Sequence, residues 1–480
     1  MILRTGAILG TLLGLLLINA ASQEAVLNPS PDAQTSSFYP RLNIGPGGHI
    51  FLVWGKKGGE LSYDIYFKRS TDQGTTWQQE DRWLDQDKPA GSWSTNPQMQ
   101  SDGKGHVYVV WRTKQQDGRK AVLFTASKDF GATFGPKIKL NQGSGAFAPA
   151  VSVDGNGHLY VVWTDERPEG RSRGRRGRLA NLNLYMNRSD DHGEGWLPQD
   201  IKLNGAPAKR INPVMRAWPQ IRNDDQGNVA VAWFDTRDGW GSIYFRASTD
   251  FGKTWQDEQR LKADAPGDIL GPLQMAGDDQ GHLYVAWVDN REGEYHIYLA
   301  VSADFGRTWS KEARLDVNKT KGKQSVAPTL AADASGRVYV VWHDTRHGGW
   351  DIYLNVSLDY GRTWRTEDVR LNTGPPGEAG ARFPQIALDK QGNVAVAWQE
   401  DRGAEQEEGV YLTWSEDFGT SWRKPDIRVD EPKSRETSFR PQIAVLRERT
   451  FLLAWDSRRQ EQNDIALKVM NLGARESSPH

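Results

Sequence analysis

Short runs in which apolar and polar residues alternate recur along the whole chain, and each ends in tryptophan. LYVVW (Leu159–Trp163), VAVAW (Val229–Trp233) and VYVVW (Val338–Trp342) are examples. A period of two is the signature of a β-strand with one face buried. Each run closes a longer unit of the form proline, strand, glycine-containing turn, strand. PTLAADASGRVYVVW (Pro328–Trp342) and PQIALDKQGNVAVAW (Pro384–Trp398) show it in full. The closing tryptophans are Trp54, Trp111, Trp163, Trp233, Trp287, Trp342, Trp398 and Trp455, spaced by 57, 52, 70, 54, 55, 56 and 57 residues. A fixed period of this length predicts a ring or array of identical supersecondary units.

A second phrase follows seven of the eight units. It reads STDQGTTW (Ser70–Trp77), SKDFGATF (Ser127–Phe134), SDDHGEGW (Ser189–Trp196), STDFGKTW (Ser248–Trp255), SADFGRTW (Ser302–Trp309), SLDYGRTW (Ser357–Trp364) and SEDFGTSW (Ser415–Trp422). Each copy lies between two strand-like runs, which is the context of a hairpin turn. Aspartate can accept backbone N–H bonds ahead of it, glycine tolerates positive φ, and the aromatic residue can seal the turn. The phrase is the Asp-box, and the chain resembles the sialidase-like Asp-box (BNR-repeat) β-propellers. The resemblance implies that the boxes lie on the face away from the active site. It therefore implies that Asp72, Asp129, Asp191, Asp250, Asp304, Asp359 and Asp417 are structural.

Eight first hairpins and seven complete second hairpins leave one unit short. The eighth continues only as DIALKVMNL (Asp464–Leu472). The missing fourth strand is at the other end, where AVLNP (Ala25–Pro29) matches IKLN (Ile138–Asn141) and VRLN (Val369–Asn372). The expected fold is all-β: an eight-bladed propeller of four-stranded blades, closed by an N-terminal strand, which removes a free sheet edge. Sialidases proper have six blades, so the resemblance departs in number.

The ends and the composition add bounds. Arg4, the uncharged stretch Gly6–Ile18 and Asn19-Ala20-Ala21 read as a secretory signal over residues 1–21. Residues 22–472 are expected to form one propeller domain and 473–480 a tail. The protein is thus expected to be secreted or periplasmic. There is no cysteine, hence no disulfide framework and no thiolate metal site. A net charge of −1 gives no case for specific nucleic-acid binding, and nothing after the signal reads as a membrane span. The nine histidines show no metal-ligand spacing, and no cofactor is expected. The chain is expected to be a monomer.

The face opposite the boxes carries two sets of loops. The first follows each blade tryptophan: WTDER (Trp163–Arg167), WFDTR (Trp233–Arg237), WVDNR (Trp287–Arg291), WHDTR (Trp342–Arg346) and WQEDR (Trp398–Arg402), with WDSRR (Trp455–Arg459) lacking the acid. Acid and arginine two apart face one side of an extended chain. They read either as ion pairs joining blades or as a ligand-facing ring with a general acid among Asp165, Asp235, Asp289 and Asp344. The second set enters the first strand at its proline, and three of these loops carry Arg216, Arg382 and Arg440. Three arginines at one mouth could hold a carboxylate, which is what the resemblance to sialidases implies. The family's Phe/Tyr-Arg-Ile/Leu-Pro signature is absent, the nearest text being FYPRL (Phe38–Leu42).

Trp218, Trp240, Tyr295 and Trp350 fall outside the repeat in loops of blades four to six, and Trp93 precedes a first strand. Flat rings there could stack on sugars, or pack against neighbouring loops. Blade three holds an insertion, ERPEGRSRGRRGR (Glu166–Arg178), that reads as a solvated loop or a contact for an anionic polymer. Two function classes follow. One is a module binding an extracellular glycan or other anionic partner. The other is a glycoside hydrolase of the exo-α-sialidase kind, with Tyr39 as its nucleophile candidate.

Overall fold

A computed structural model describes residues 24–27, 36–58, 62–167, 182–205, 218–237, 240–262, 266–278, 280–317, 320–402, 408–431, 436–459 and 462–472. These residues form eight antiparallel four-stranded sheets. Seven are contiguous in sequence. The eighth combines Glu436–Arg447, Thr450–Arg459 and Gln462–Asn471 with the N-terminal strand Ala25–Val26. Ala25 pairs with Leu467 and Val26 with Ala466. The expected closure is therefore present, and Leu27 buries its side chain in the joint.

The first strands of neighbouring blades touch one another around a closed circuit, which makes them the innermost strands of a ring. Packing follows from the alternation. The eight strand-closing tryptophans are all buried. Buried apolar residues fall into eight clusters, each made by two adjacent blades. Trp77 and Leu27 sit together in the cluster joining blades eight and one. The closing aromatics of the boxes also serve these joints. Trp196, Trp255, Trp309, Trp364 and Trp422 each pack into the cluster shared with the preceding blade. All but Trp309 also fold back on their own turn, the indole N–H donating to the box glycine carbonyl at 3.0–3.3 Å. Repeat units that cannot bury both faces alone are held by their neighbours in this way.

Six innermost strands share one irregularity. The residue before the proline has positive φ in Tyr39, Asn96, Ala148, Ala327, Phe383 and Arg440. The ladder to the second strand slips at each of these points. A β-bulge there frees a backbone N–H from the ladder and re-aims a side chain. The bulges all lie where the first strand begins, on the face opposite the Asp-boxes. No helix among the described residues is long and apolar enough to cross a membrane.

Candidate functional site

The seven boxes spend their polar atoms on themselves. In every box the serine hydroxyl donates to the aspartate Oδ1 at 2.7–2.8 Å. The backbone N–H four residues after the aspartate donates to the same oxygen at 2.8 Å. In six boxes a hydroxyl also donates to Oδ2 at 2.6 Å. Slight burial acts to raise the Asp250 carboxyl, yet the bonds from Thr254 and Ser248 outweigh it and hold the pKa at about 2. Such a carboxylate is a turn lock.

The acid–arginine loops are clamps. Asp235, Asp289 and Asp344 are buried. Each accepts the backbone N–H and a guanidinium N–H of the arginine two residues on. The same arginines reach a second acid just ahead of the blade's outer strand: Glu258, Glu312 and Asp368. Arg167 and Arg402 do likewise with Asp200 and Asp426. All five guanidinium groups stack on a tyrosine of the third strand at 3.7–4.3 Å. The outer acids also accept N–H groups of the preceding blade, from Gln142, Gly205, Val317 and Thr373. The arginine pairs thus lie within one blade, and the outer acid carries the tie between blades. Both carboxylate oxygens of Asp235, Asp289 and Asp344 are engaged by the arginine two residues on.

The bulges differ from blade to blade. Blades two, three and six carry Asn96, Ala148 and Ala327 there, whereas consecutive blades seven, eight and one carry Phe383, Arg440 and Tyr39. Tyr39 is 50% and Phe383 47% exposed, although both are large and aromatic. The Arg440 guanidinium lies 4.3 Å from the Tyr39 ring centre and 4.8 Å from that of Phe439. The result is an exposed aromatic–guanidinium–aromatic arc spread over three blades.

Beneath each member of the arc stands a polar side chain from the blade before it. All three occupy the position right after the strand-closing tryptophan. His343 Nδ1 accepts the Phe383 N–H at 3.4 Å, and Gln399 Oε1 accepts the Arg440 N–H at 3.2 Å. The Asp456 carboxylate sits under the Tyr39 N–H, with Arg440 Nε 2.7 Å from Oδ2. The Arg440 approach is off-line, and neither Asp456 oxygen accepts a well-directed hydrogen bond from the described residues. Burial pushes the Asp456 carboxyl up to about 7, against the opposing pull of Arg440, the Tyr39 N–H and Arg41. Burial, with Arg382 adding to it, holds His343 down to about 3, so it is the neutral imidazole that a hydrogen-bond acceptor must be.

Arg382 and Arg440 are brought into this neighbourhood, on either side of Gln399: Arg382 faces Gln399 across the ladder. The Arg382 Nε is buried with no hydrogen-bond partner among the described residues. Arg216 lies outside the described residues, as does most of the arginine-rich insertion. Trp218 and Trp93 are exposed, at 37% and 36%. Tyr295 and Trp350 pack against the cluster between blades five and six, and Trp350 meets the His343 ring edge-on at 4.7 Å. Trp240 is half-buried, its indole N–H enclosed without a partner among the described residues. Phe383, His343, Gln399 and Asp456 were not singled out in the sequence. The signal that finds them is the residue after each blade tryptophan: Gly55, Arg112, Thr164, Phe234, Val288, His343, Gln399 and Asp456 share no type, where the tryptophan itself never varies.

Two family models match parts of this chain. One is described as a BNR repeat-like domain and matches residues 157–383, and the other as a BNR repeat-containing family member and matches residues 39–263. No curated protein matches. Among solved structures, the chain is similar to a protein of unknown function from Dyadobacter fermentans DSM 18053, at 16% identity over 69% of this chain and 95% of that one, with a TM-score of 0.40. A Penicillium chrysogenum α-L-arabinanase complexed with arabinobiose shares 17% identity over 68% of this chain and 93% of its own, with a TM-score of 0.38. A polysaccharide lyase named Uly1 shares 10% over 78% and 89%, with a TM-score of 0.48. Likenesses at this level carry no argument about what the chain binds.

Proposed function

We propose, for a chain that is a BNR-repeat propeller of the sialidase-like, Asp-box kind, that it is an exported module binding an anionic saccharide across the arc of Phe383, Arg440 and Tyr39. The observation that carries this reading is the arc itself. Three consecutive bulges hold exposed or stacked large side chains where the other described bulges hold alanine or asparagine. Aromatic faces stack on the apolar face of a pyranose, and a guanidinium recognises a carboxylate or sulfate in two-pronged fashion. Arg382 and Arg41 add positive charge beside it. The secretory signal, the monomeric state and the single domain over 22–472 belong to the same proposal.

One observation favours hydrolysis as the second reading: a buried carboxyl near pH 7 under a tyrosine. A tyrosine nucleophile needs a base at its hydroxyl. Asp456 meets the backbone of Tyr39, and the Tyr39 hydroxyl makes no hydrogen bond among the described residues. Binding therefore takes precedence.

The test pairs a glycan array of neutral, uronic, sulfated and sialylated sugars with a fluorogenic sialoside assay on the mature protein. Binding confined to acidic glycans, lost in Arg440→Ala and Tyr39→Ala, with no turnover, is the expected result. Alanine already stands at two of the bulges, Ala148 and Ala327, so neither substitution strains the strand. Turnover abolished by Tyr39→Phe would establish the hydrolase instead.

A further inference from the structure

The blades are also joined on the Asp-box face, by a contact that repeats. The turn between the first and second strands of one blade sends a side chain onto the residue after the box aspartate in the next blade. His49 meets Phe130 at 4.4 Å between ring centres, His158 meets Phe251 at 4.5 Å, and His282 meets Tyr360 at 4.3 Å. Arg337 lies 4.0 Å from the Phe418 ring. At the joint of blades two and three the aromatic ring is replaced. The box reads SDDHGEGW, and His106 meets His192 at 4.4 Å.

That exchange places two imidazoles around one carboxylate. His106 Nδ1 is 2.5 Å and His192 Nδ1 3.6 Å from Asp102 Oδ2. The ligand atoms of all three residues lie within 4.8 Å of one another. The Asp102 side chain is buried, whereas the imidazoles keep 21% and 33% of their surface. Tyr108 completes the site, its hydroxyl donating to Asp102 at 3.3 Å and meeting His192 Nδ1 at 3.0 Å. In blades three and five the corresponding hydroxyls, of Tyr160 and Tyr284, are buried with no partner among the described residues. The bond from Asp102 to His106 alone is scaffold, since Asp154 and His158 and Asp278 and His282 make it too, at 2.6 and 2.7 Å. What is new is the second imidazole.

We propose that Asp102, His106 and His192 form a binding site for a divalent transition metal of the zinc class, which staples blade two to blade three on the Asp-box face. Two imidazole nitrogens and one carboxylate oxygen are the donor set of such ions. Ligand distances of about 2.0–2.2 Å set tetrahedral donor atoms roughly 3.4 Å apart. His192 Nδ1 already stands near that spacing from Asp102 Oδ2, at 3.6 Å, while His106 Nδ1, at 2.5 Å, would exchange its hydrogen bond for the metal and move apart by nearly an ångström. Three protein ligands leave the remaining position to water on the exposed side. Along the chain these residues show no spacing pattern, because His192 is supplied by the next blade.

The test uses the full mature protein, stripped with a chelator and titrated with Zn²⁺ by calorimetry, with Co²⁺ absorption as an independent report on the ligands. One Zn²⁺ per chain and a tetrahedral Co²⁺ spectrum are expected, with a melting temperature that rises with added Zn²⁺. His192→Phe restores the residue found at Phe130, Phe251, Phe305 and Phe418, so it is compatible with the fold. It should lose at least about a hundredfold in affinity and the thermal response together. His106→Asn, the residue type that locks the turn at Asn228 and Asn393, should do the same. No binding by the wild type, or binding unchanged in either variant, overturns the site.

Discussion

The two faces of this ring are built by opposite rules. On the Asp-box face seven turns repeat the same hydrogen bonds to within 0.1 Å at each aspartate Oδ1. On the other face the bulge residue and the side chain beneath it change from blade to blade. Uniformity marks places where each blade solves the same stability problem. Large, partly exposed bulge residues in three neighbouring blades, where the other described bulges hold alanine or asparagine, mark a place where stability alone does not choose the residue. The carboxylates make the contrast sharpest. Asp250, in a box, is held at about 2 by bonds that favour its charge, whereas Asp456, under the arc, is pushed up to about 7 by burial. The box acid is stabilised as an anion, whereas the acid under the arc is held against its charge.

The largest effect tests what both faces depend on, the closed ring. Deleting Glu24–Pro29 removes the strand that pairs with Leu467 and Ala466, together with buried Leu27 and the carbonyl that accepts Lys68 Nζ at 3.0 Å. It also opens a sheet edge. The melting temperature should fall by about 5 °C or more, and the protein should aggregate on heating. A truncated chain that melts like the parent would break the closure, and with it the assignment of both faces.

Asp456→Asn comes next, and its sign separates the faces. The folded carboxyl titrates near 7 and the unfolded one near its ordinary 3.8. Its contribution to stability is full below the unfolded value and is lost as pH rises through the folded value. The wild type should therefore lose up to about 2–3 kcal/mol between pH 5 and pH 8 from this group. The asparagine variant should not, so its relative melting temperature should climb with pH. Parallel curves for the two proteins would mean that Asp456 is satisfied by partners and that this face stores no strain.

Asp250→Ala probes the other side. It removes bonds from Ser248, Thr254 and two backbone N–H groups, which are mostly exposed, so water replaces part of them. A loss of about 1–2 kcal/mol is expected, with the opposite pH trend: the difference from wild type should vanish only as pH falls toward about 2. Ligand binding should be unchanged. Loss of binding in this variant would place function on the box face.

The architecture was readable because it is periodic. Eight tryptophans, seven boxes and a displaced AVLNP strand determine the blade number and the closure without any long-range contact. The candidate site was only half readable. Tyr39, Arg382 and Arg440 stand one or two residues before prolines that mark the strand starts, so their face could be inferred. Asp456, Gln399 and His343 could not be paired with them, because each lies under the bulge of the next blade and the relation exists only across a blade interface. The same limit hid His192, an apparent variation within one box, from Asp102 and His106 in another blade. Asp235, Asp289 and Asp344 looked like candidates for the reverse reason: the outer acids that occupy their arginines come some 20 residues later, with no motif to announce them.

The smallest effect on stability belongs to Phe383→Ala, and it sharpens the comparison most. Phe383 is 47% exposed and meets the His343 ring edge-on, at 5.7 Å between centres. Its positive φ of 53° suits no large side chain, and the equivalent bulges at Ala148 and Ala327 adopt 45° and 51° with alanine. A residue kept for the fold would lose stability on truncation. Phe383 should lose less than about 1 kcal/mol by thermal melting, in line with a partly exposed side chain. Affinity for an acidic glycan should nevertheless drop by about tenfold or more, the weight of one stacked ring. A binding isotherm and a melting curve on the same sample separate the two outcomes. Stability lost without affinity would turn the arc into one more blade joint, and the variety of this face would then need a cause other than a ligand.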